Sequence, residues 1–285
     1  MRSSGLPIVM KRIKQVPDRN SPIGIFDSGL GGLTVAREIF QLLPSEDVVY
    51  FGDVGRSPYG PRSKEIITQF SRQDTNFLIE QEVKIIVAAC NTASSIALEF
   101  LQKEYSLQIL GVIEPGAVSA VQATRNGKIG VIGTIGTIHS NAYAKAIEAI
   151  DPKIKVFSMA CPLFVPLVEE GYIDKEATFL IAEDYVSPLK TTGVDTLILG
   201  CTHYPLLKPI IRKVLGDKVS LIDSATETSR VVYQHLLTTN ALNPKRSEGE
   251  RKFYVSDVPE QFAQMARHFL GDTVRSVMRI DITKY

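Results

Sequence analysis

The sequence lacks several features that would assign it to common classes of protein. Among its 285 residues, Lys and Arg number 32 and Asp and Glu number 31, which gives a net charge of +1. A protein whose main partner is nucleic acid needs a surplus of cations for the phosphates, so this composition argues against such a partner. No apolar run approaches the roughly 18 residues of a membrane-spanning helix. We therefore expect no partner in the membrane.

Cysteine is scarce, and its spacing excludes further classes. The three cysteines are Cys90, Cys161 and Cys201. An odd number without the spacing of a disulfide framework is typical of a reducing compartment, so a cytoplasmic location is expected. None belongs to a Cys-x-x-Cys pair, which would indicate a zinc site or a redox centre. Cys161 has no distinctive context, and we interpret it as a packing residue.

The glycine-rich signatures of nucleotide-binding proteins are also missing. The apolar strand predicted at 23–26 leads into Asp27 and Ser28, which are followed by Gly29-Leu30-Gly31-Gly32. This run is neither Gly-x-Gly-x-x-Gly nor a Walker motif, because no lysine follows it. A nucleotide is therefore a weak candidate ligand. The glycines would nevertheless let backbone amides approach a small ligand closely.

What the chain does contain is a cysteine at each of two similar strand–helix junctions. The apolar run 83–89 predicts a buried parallel strand, Cys90 follows it, and residues 96–101 resume a helical pattern. The run 196–200 leads into Cys201 in the same way. Open α/β folds bind ligands at the carboxyl ends of their strands, beside the N-terminus of the next helix. Both cysteines are therefore expected at a ligand site, where the helix N-termini would help the thiols to ionise.

Apolar strand patterns alternate with amphipathic helix patterns along the chain, which predicts an α/β fold of mainly parallel sheets flanked by helices. The segment 128–140 echoes 22–34, and the cysteine junctions recur at nearly the same spacing, which indicates two similar units that arose by duplication. We predict two pseudo-symmetric domains with the active site between them. Their predicted limits are an N-terminal extension at 1–21, a first domain at 22–114 plus 224–285, and a second domain at 115–223.

Two cysteines that face one cavity could serve four chemistries. Zinc could bind Cys90, Cys201 and His203, but no fourth ligand stands at metal spacing. A redox pair so far apart in sequence is atypical, and a single nucleophile would leave the second cysteine unused. The fourth chemistry uses both: one thiolate removes a proton from carbon while the other thiol returns one to the opposite face, as in a two-base racemase or epimerase. His203 could orient Cys201 or take its proton.

Five motifs, taken together, resemble those of the glutamate racemases and occur in that family's order. They are Phe26-Asp27-Ser28-Gly29-x-Gly-Gly, Ser57-Pro58-Tyr59-Gly60, Ala89-Cys90-Asn91-Thr92-Ala93-Ser94, Gly133-Thr134-x-Gly-Thr and Gly200-Cys201-Thr202-His203-Tyr204-Pro205-Leu206-Leu207. The resemblance extends from about Pro22 to the C-terminus. It implies interconversion of L- and D-glutamate without pyridoxal phosphate, metal or other cofactor. It also implies that the product D-glutamate is used for bacterial peptidoglycan.

The resemblance further implies roles for individual residues. Cys90 and Cys201 are the catalytic acid/bases, the first acting on D-glutamate and the second on L-glutamate. Asp27 and Ser28 contact the α-centre, with Asp27 on the ammonium. The other implied contacts are Pro58, Tyr59 and Gly60 at the side-chain carboxylate, and Asn91, Thr92, Thr134, Thr202 and His203 around the carboxylate and ammonium. Asp53 and Glu169 match acidic positions behind those contacts.

Several alternatives stay open at this level. An aspartate or broad-specificity racemase of the same superfamily would differ in cavity length, and an amino-acid-binding regulatory module would need neither thiol. Taken singly, Asp27, Ser28 and Thr134 could be helix caps, His203 a structural histidine and Tyr59 a packing residue. The extension is either a tail or an arm for a nucleotide-linked peptidoglycan precursor, which activates relatives that have such an extension. Because the family forms dimers, a homodimer is expected.

Overall fold

A computed structural model describes residues 18–274 and 276–285 of the chain. Residues 1–17 of the predicted extension therefore lie outside the described residues. The strands form two sheets, and within each sheet every pair of neighbouring strands is parallel. In the part of the chain that is described, no helix combines the length and the apolarity of a membrane span.

The elements follow one another in the strand–helix alternation that the sequence predicts. The first part of the chain forms β1 (Ile23–Asp27), α1 (Leu33–Leu42), β2 (Val48–Gly52), α2 (Lys64–Glu80), β3 (Ile85–Ala88), α3 (Asn91–Ile96), α4 (Leu98–Glu104), β4 (Ile109–Gly111) and α5 (Ile113–Ala123). The middle forms β5 (Lys128–Gly133), α6 (Ile135–His139), α7 (Ala142–Ile150), β6 (Lys155–Ala160), α8 (Phe164–Glu169), α9 (Glu176–Thr192), β7 (Thr196–Gly200), α10 (Lys208–Leu215) and β8 (Ser220–Ile222). The last part forms α11 (Ser224–Thr238), β9 (Arg251–Val255), α12 (Pro259–Leu270) and β10 (Val277–Arg279).

The two sheets share one strand order. The larger sheet runs β10-β9-β2-β1-β3-β4, and the smaller runs β6-β5-β7-β8. The order β2-β1-β3-β4 therefore recurs as β6-β5-β7-β8, so that β3 and β7, which precede the two cysteines, are equivalent strands. The predicted α/β fold class is confirmed. The residue limits of the two domains stay a prediction, although β9 and β10 return to the larger sheet by pairing beside β2.

Each sheet is covered by helices on both faces, as the buried, mainly apolar strands at its centre require. On the larger sheet, α1, α11 and α12 pack on one face and α2, α3 and α4 on the other. On the smaller sheet, α8, α9 and α10 cover one face, and α5 and α7 cover the other. Helix α11 packs against α1 on the larger sheet and against α5 on the smaller sheet, and so connects the helices of the two sheets. The candidate site lies at the carboxyl ends of the central strands.

Candidate active site

Cys90 and Cys201 occupy equivalent places at the carboxyl ends of their strands. Cys90 lies two residues after the end of β3 and is the N-cap residue of α3. Cys201 directly follows β7, but a turn and a short 3₁₀ helix at Tyr204–Leu207 separate it from α10. Their exposed fractions are 5% and 6%. Both thiols are therefore nearly enclosed, as acid/base groups in a water-poor site would be.

The turn between β1 and α1 lies against both cysteine loops. The thiol of Cys90 donates to Ser28 Oγ at 3.4 Å. On the other side, Thr202 Oγ1 donates to Asp27 Oδ1 at 3.4 Å. A Cβ atom placed on Gly31 would lie 2.1 Å from Thr202 Oγ1, so this turn can approach the Cys201 loop only because glycine has no side chain. The turn thus brings the two loops into one site.

A chain of polar contacts leads away from Cys201. Its sulfur lies 3.8 Å from Nδ1 of His203, and Nε2 of the same ring lies 3.1 Å from Oε1 of Glu169. Burial alone would lower the pKa of His203, but the hydrogen bonds with Cys201 and Glu169 raise it to about 10. A protonated ring at this place has its positive charge between the Cys201 sulfur and the Glu169 carboxylate.

Burial dominates the surroundings of the Cys90 thiol. Burial, followed by the negative charge of Asp27, raises the pKa of Cys90 to about 12. The hydrogen bond between Cys90 and Ser28 and the Ala93 amide at the start of α3 lower it by less. The amide at the helix N-terminus therefore acts in the direction that the sequence predicts, but desolvation outweighs it. Burial likewise raises the pKa of Asp27, an effect that the charge of His203 opposes.

The start of α3 offers polar groups next to Cys90. The hydroxyl of Tyr143 donates to Asn91 Oδ1 at 2.7 Å, which leaves the buried Nδ2 of Asn91 without a partner among the described residues. Thr92 Oγ1 lies 2.9 Å from Thr134 Oγ1, a contact between the α3 and α6 termini. Thr134 also caps α6 by accepting from the Thr137 amide at 3.2 Å. The cap interpretation of Thr134 is therefore correct, and it does not exclude contact with a ligand.

The predicted loop residues fall into two groups. Pro58 is exposed and lines a cleft of about 250 Å³ together with Gly29, Ser57 and Glu169. Gly60 is buried against Thr134, and its carbonyl accepts from the Gly136 amide at 3.0 Å. Tyr59 points into the protein, where its hydroxyl lies near Asp53 and Asp74 rather than near either cysteine. Neither cysteine lines the cleft, which borders the turn and the Glu169 side of the site.

Some residues of this arrangement had not been predicted from the sequence. Tyr143 on α7 orients Asn91, and Asp74 on α2 binds Tyr59 together with Arg56. In the sequence, each is a single polar residue within a helical pattern. Such residues are also common on solvated helix faces, so the sequence alone does not reveal their contacts. Among the described residues, no group of three or more His, Cys, Asp or Glu is placed to hold a metal ion.

Comparison with known proteins agrees with this geometry. Residues 35–231 match the family described as Asp/Glu/hydantoin racemase. A glutamate racemase of Geobacter metallireducens is 51% identical over 260 residues, which are 91% of this chain and 96% of that protein.

Two solved structures provide further comparisons. The glutamate racemase of Francisella tularensis in complex with D-glutamate has a TM-score of 0.88 at 40% identity, with 94% of this chain and all of that chain covered. The glutamate racemase of Escherichia coli in complex with L-glutamate and the activator UDP-MurNAc-Ala has a TM-score of 0.74 at 25% identity, with 91% and 97% covered. Two buried strand-end cysteines, one shared fold and these matches over most of the sequence lead to one assignment: the chain belongs to the Asp/Glu/hydantoin racemase family.

Proposed function

We propose that this chain is a cofactor-independent glutamate racemase that uses Cys90 and Cys201 as its two acid/bases and supplies D-glutamate for peptidoglycan. The observation that carries the proposal is the pair of nearly enclosed thiols on either side of the Asp27–Ser28 turn. A binding module would have no use for two such thiols. Relatives named as glutamate racemases over almost the whole chain support the choice of substrate.

The two thiols have environments that suit opposite halves of the reaction. In the direction from L to D, the thiolate of Cys201 takes the Cα proton of L-glutamate, and the electron pair of the broken C–H bond is delocalised into the α-carboxylate. The S–H bond of Cys90 then breaks and delivers its proton to the opposite face of Cα. The His203 imidazolium stabilises the thiolate that starts this direction, and the high pKa of Cys90 keeps its proton available. The reverse direction exchanges the two roles.

The remaining predicted residues supply the contacts that a dianionic amino acid needs. Asp27 pairs with the ammonium, and Ser28 contacts the α-centre. The unpartnered Nδ2 of Asn91 is a donor for a carboxylate. The other residues that we assign to the carboxylates and the ammonium are Thr92, Thr134, Thr202 and His203. In the loop, Tyr59 and Gly60 offer backbone amides to the side-chain carboxylate, whereas Pro58, which has no N–H, makes a non-polar contact. Glu169 holds the imidazolium, and Asp53 holds the loop through Tyr59.

Racemisation in D₂O tests the mechanism. With two bases, product formed from L-glutamate carries solvent deuterium at Cα, whereas unreacted L-glutamate recovered at low conversion keeps its proton. A single base that serves both faces would place deuterium in both enantiomers. Mass spectrometry of the separated enantiomers distinguishes these outcomes. L-Aspartate in a parallel polarimetric assay tests the superfamily alternative, since turnover of aspartate but not glutamate would assign the chain to that activity.

The regulatory and cellular parts of the proposal need separate tests. The E. coli relative binds the activator UDP-MurNAc-Ala, and we propose that a nucleotide-linked peptidoglycan precursor of this kind activates the present chain. Rates of the full chain and of residues 18–285 across concentrations of this compound test it, and identical flat curves would contradict it. We further propose a cytoplasmic location, because the three cysteines are unpaired. A homodimer is proposed on the family resemblance alone. Light scattering and cell fractionation check these points.

A further inference from the structure

A closed polar cluster lies behind the loop that carries Tyr59. Asp53 at the end of β2 and Asp74 on α2 are both fully buried, and Tyr59 is buried between them. Arg56 contacts both carboxyl groups, with Nε 2.6 Å from Asp53 Oδ2 and Nη2 3.0 Å from Asp74 Oδ1. The cluster therefore contains two carboxyl groups but only one cation.

The hydrogen bonds of Tyr59 do not balance if both carboxyl groups are ionised. Its hydroxyl oxygen lies 2.5 Å from Asp53 Oδ2 and 2.9 Å from Asp74 Oδ2. A phenol has a single hydrogen to donate, so one of these two contacts requires a proton on the carboxyl group. Without it, a carboxylate oxygen would face a lone pair of the phenol oxygen in a buried site, which is strongly unfavourable.

The neighbours of each carboxyl oxygen decide which group holds the proton. Asp53 Oδ2 already receives the Nε–H of Arg56, and Asp53 Oδ1 is buried without a partner among the described residues, so a proton there would have no acceptor. Among the described residues, Asp74 Oδ2 has a hydrogen-bond contact with the oxygen of Tyr59 alone, and that oxygen can accept. The proton therefore belongs on Asp74 Oδ2.

We propose that Asp74 is a neutral carboxylic acid that donates to Tyr59, which in turn donates to the ionised Asp53. Through this relay, Asp74 acts as a positioning residue for the loop that carries Tyr59. Asp53 and Arg56 then neutralise each other, and the buried cluster carries no net charge. Burial and the charge of Asp53 raise the pKa of Asp74 well above its usual range, although Arg56 opposes the shift. Burial also raises the pKa of Tyr59 well above its usual range.

The relay acts on the site through the backbone of the loop. Tyr59 lies between Pro58 and Gly60, and the Gly60 carbonyl accepts from the Gly136 amide beside Thr134. Fixing the Tyr59 side chain therefore fixes the position of the loop 58–60 relative to α6. The kinetic consequences rest on the proposed function, since the loop is assigned there to the side-chain carboxylate of glutamate.

Isosteric variants of the two acids give opposite expectations. In Asp74→Asn, the amide donates to Tyr59 and its carbonyl still accepts from Arg56, so the KM for glutamate stays within about threefold of wild type. In Asp53→Asn, the positive charge of Arg56 loses its partner, and we expect the KM to rise at least about tenfold with a smaller change in kcat. Asp74→Ala removes the contacts with both Tyr59 and Arg56. It is the loss-of-contact comparison for Asp74→Asn, and its KM should rise about as much as that of Asp53→Asn.

Infrared spectroscopy detects the proton on the Asp74 carboxyl group without an activity assay. The carboxylic-acid C=O stretch of the wild-type protein at neutral pH should lose one component in Asp74→Asn and keep that component in Glu170→Gln, an exposed control. Thermal unfolding should show Asp74→Asn close to wild type and Asp53→Asn clearly less stable. No lost component, or equal damage from the two Asn variants, would overturn the proposal. Because these two measurements need no substrate, they stand even if the chain is not a glutamate racemase.

Discussion

The third thiol of the chain is an internal reference for the two at the strand ends. Cys161 is buried like Cys90 and Cys201, but its thiol donates to the backbone carbonyl of Met159, whereas the other two thiols contact Ser28 and His203. Deleting one acid/base group should lower kcat about 100- to 10,000-fold. We therefore expect losses of that size for Cys90→Ala and Cys201→Ala, and a near-normal kcat for Cys161→Ala. Polarimetry from both enantiomers measures this, and a comparable loss in all three variants would contradict the assignment.

The protonation of His203 depends on a carboxylate that can be removed without touching the thiols. Glu169 raises the pKa of His203 through its hydrogen bond and its charge. An imidazolium that loses this partner gives up its proton more readily, so in Glu169→Gln the pKa should fall below the wild-type value of about 10. The alkaline limb of the kcat/KM profile should move to lower pH with it. Nitrogen NMR of the ring measures the pKa directly.

Glu170→Gln is the matched control for that experiment. Glu170 lines the same cleft as its neighbour, but its side chain is exposed and is not among the groups that shift the pKa of His203. The control should keep both the wild-type pKa and the wild-type profile. Equal shifts in the two variants would mean that general charge at the cleft, rather than the hydrogen bond, sets the protonation of the ring.

Individual residues differ in how far the sequence could predict them. Cys90 and Cys201 could be found because each follows an apolar run and precedes small polar residues. Tyr143 and Asp74 could not, because their contacts with Asn91 and Tyr59 exist only after α7 and α2 have packed. Tyr59 was predicted as a loop contact, yet its side chain points away from the thiols, a direction that the motif does not encode.

At the scale of elements, the closest approach in the site is that of the β1–α1 turn to the loop after β7. A Cβ on Gly31 would lie 2.6 Å from His203 Nδ1 and still closer to Thr202. Gly31→Ala should push this loop away, and a displacement of this order can lower kcat/KM about 100-fold. Gly29→Ala is the control, since its nearest atom is the movable Ser57 Oγ at 3.3 Å. Similar rates for both variants would contradict this tight approach.

The strands were predictable from the sequence, but the two cysteine junctions differ in a way that was not. Buried parallel strands appear as continuous apolar runs, so β1, β3 and β7 could be located to within a residue or two. Both junctions read alike in sequence. In the structure, Cys90 caps an α-helix directly, whereas Pro205 and Pro209 lie in the first turns of the 3₁₀ helix and of α10, which begins only at Lys208.

At the scale of the whole molecule, a buried ion pair ties distant segments together. Lys84, just before β3, is paired with Glu46, and its Nζ also donates to the carbonyls of Arg19 and Ala241. Glu46 Oε1 accepts from the Asn243 amide. Removing one partner of such a pair leaves the other charge buried and lowers the free energy of unfolding by about 3–5 kcal/mol. We expect this loss for Lys84→Met in chemical denaturation.

An exposed pair provides the comparison for that loss. Lys103 pairs with Glu99 one helical turn away, with side chains that are 74% and 83% exposed. Exposed pairs of this kind contribute little to stability, because water and salt screen the two charges. Lys103→Met should therefore leave the free energy of unfolding almost unchanged. If Lys84→Met were equally harmless, the pair would not be what fastens the segments near Arg19 and Ala241.

The position of the smaller sheet within the chain affects how the protein is made. All four strands of that sheet, β5 to β8, lie between β4 and β9 in sequence. On the ribosome the smaller sheet can close while the larger one still lacks two strands, and until β9 emerges the outer edge of β2 is unpaired. Unpaired edges invite association between nascent chains. Residues 251–285 therefore complete the larger sheet only after the smaller sheet has been synthesised, although β1 to β4 precede both.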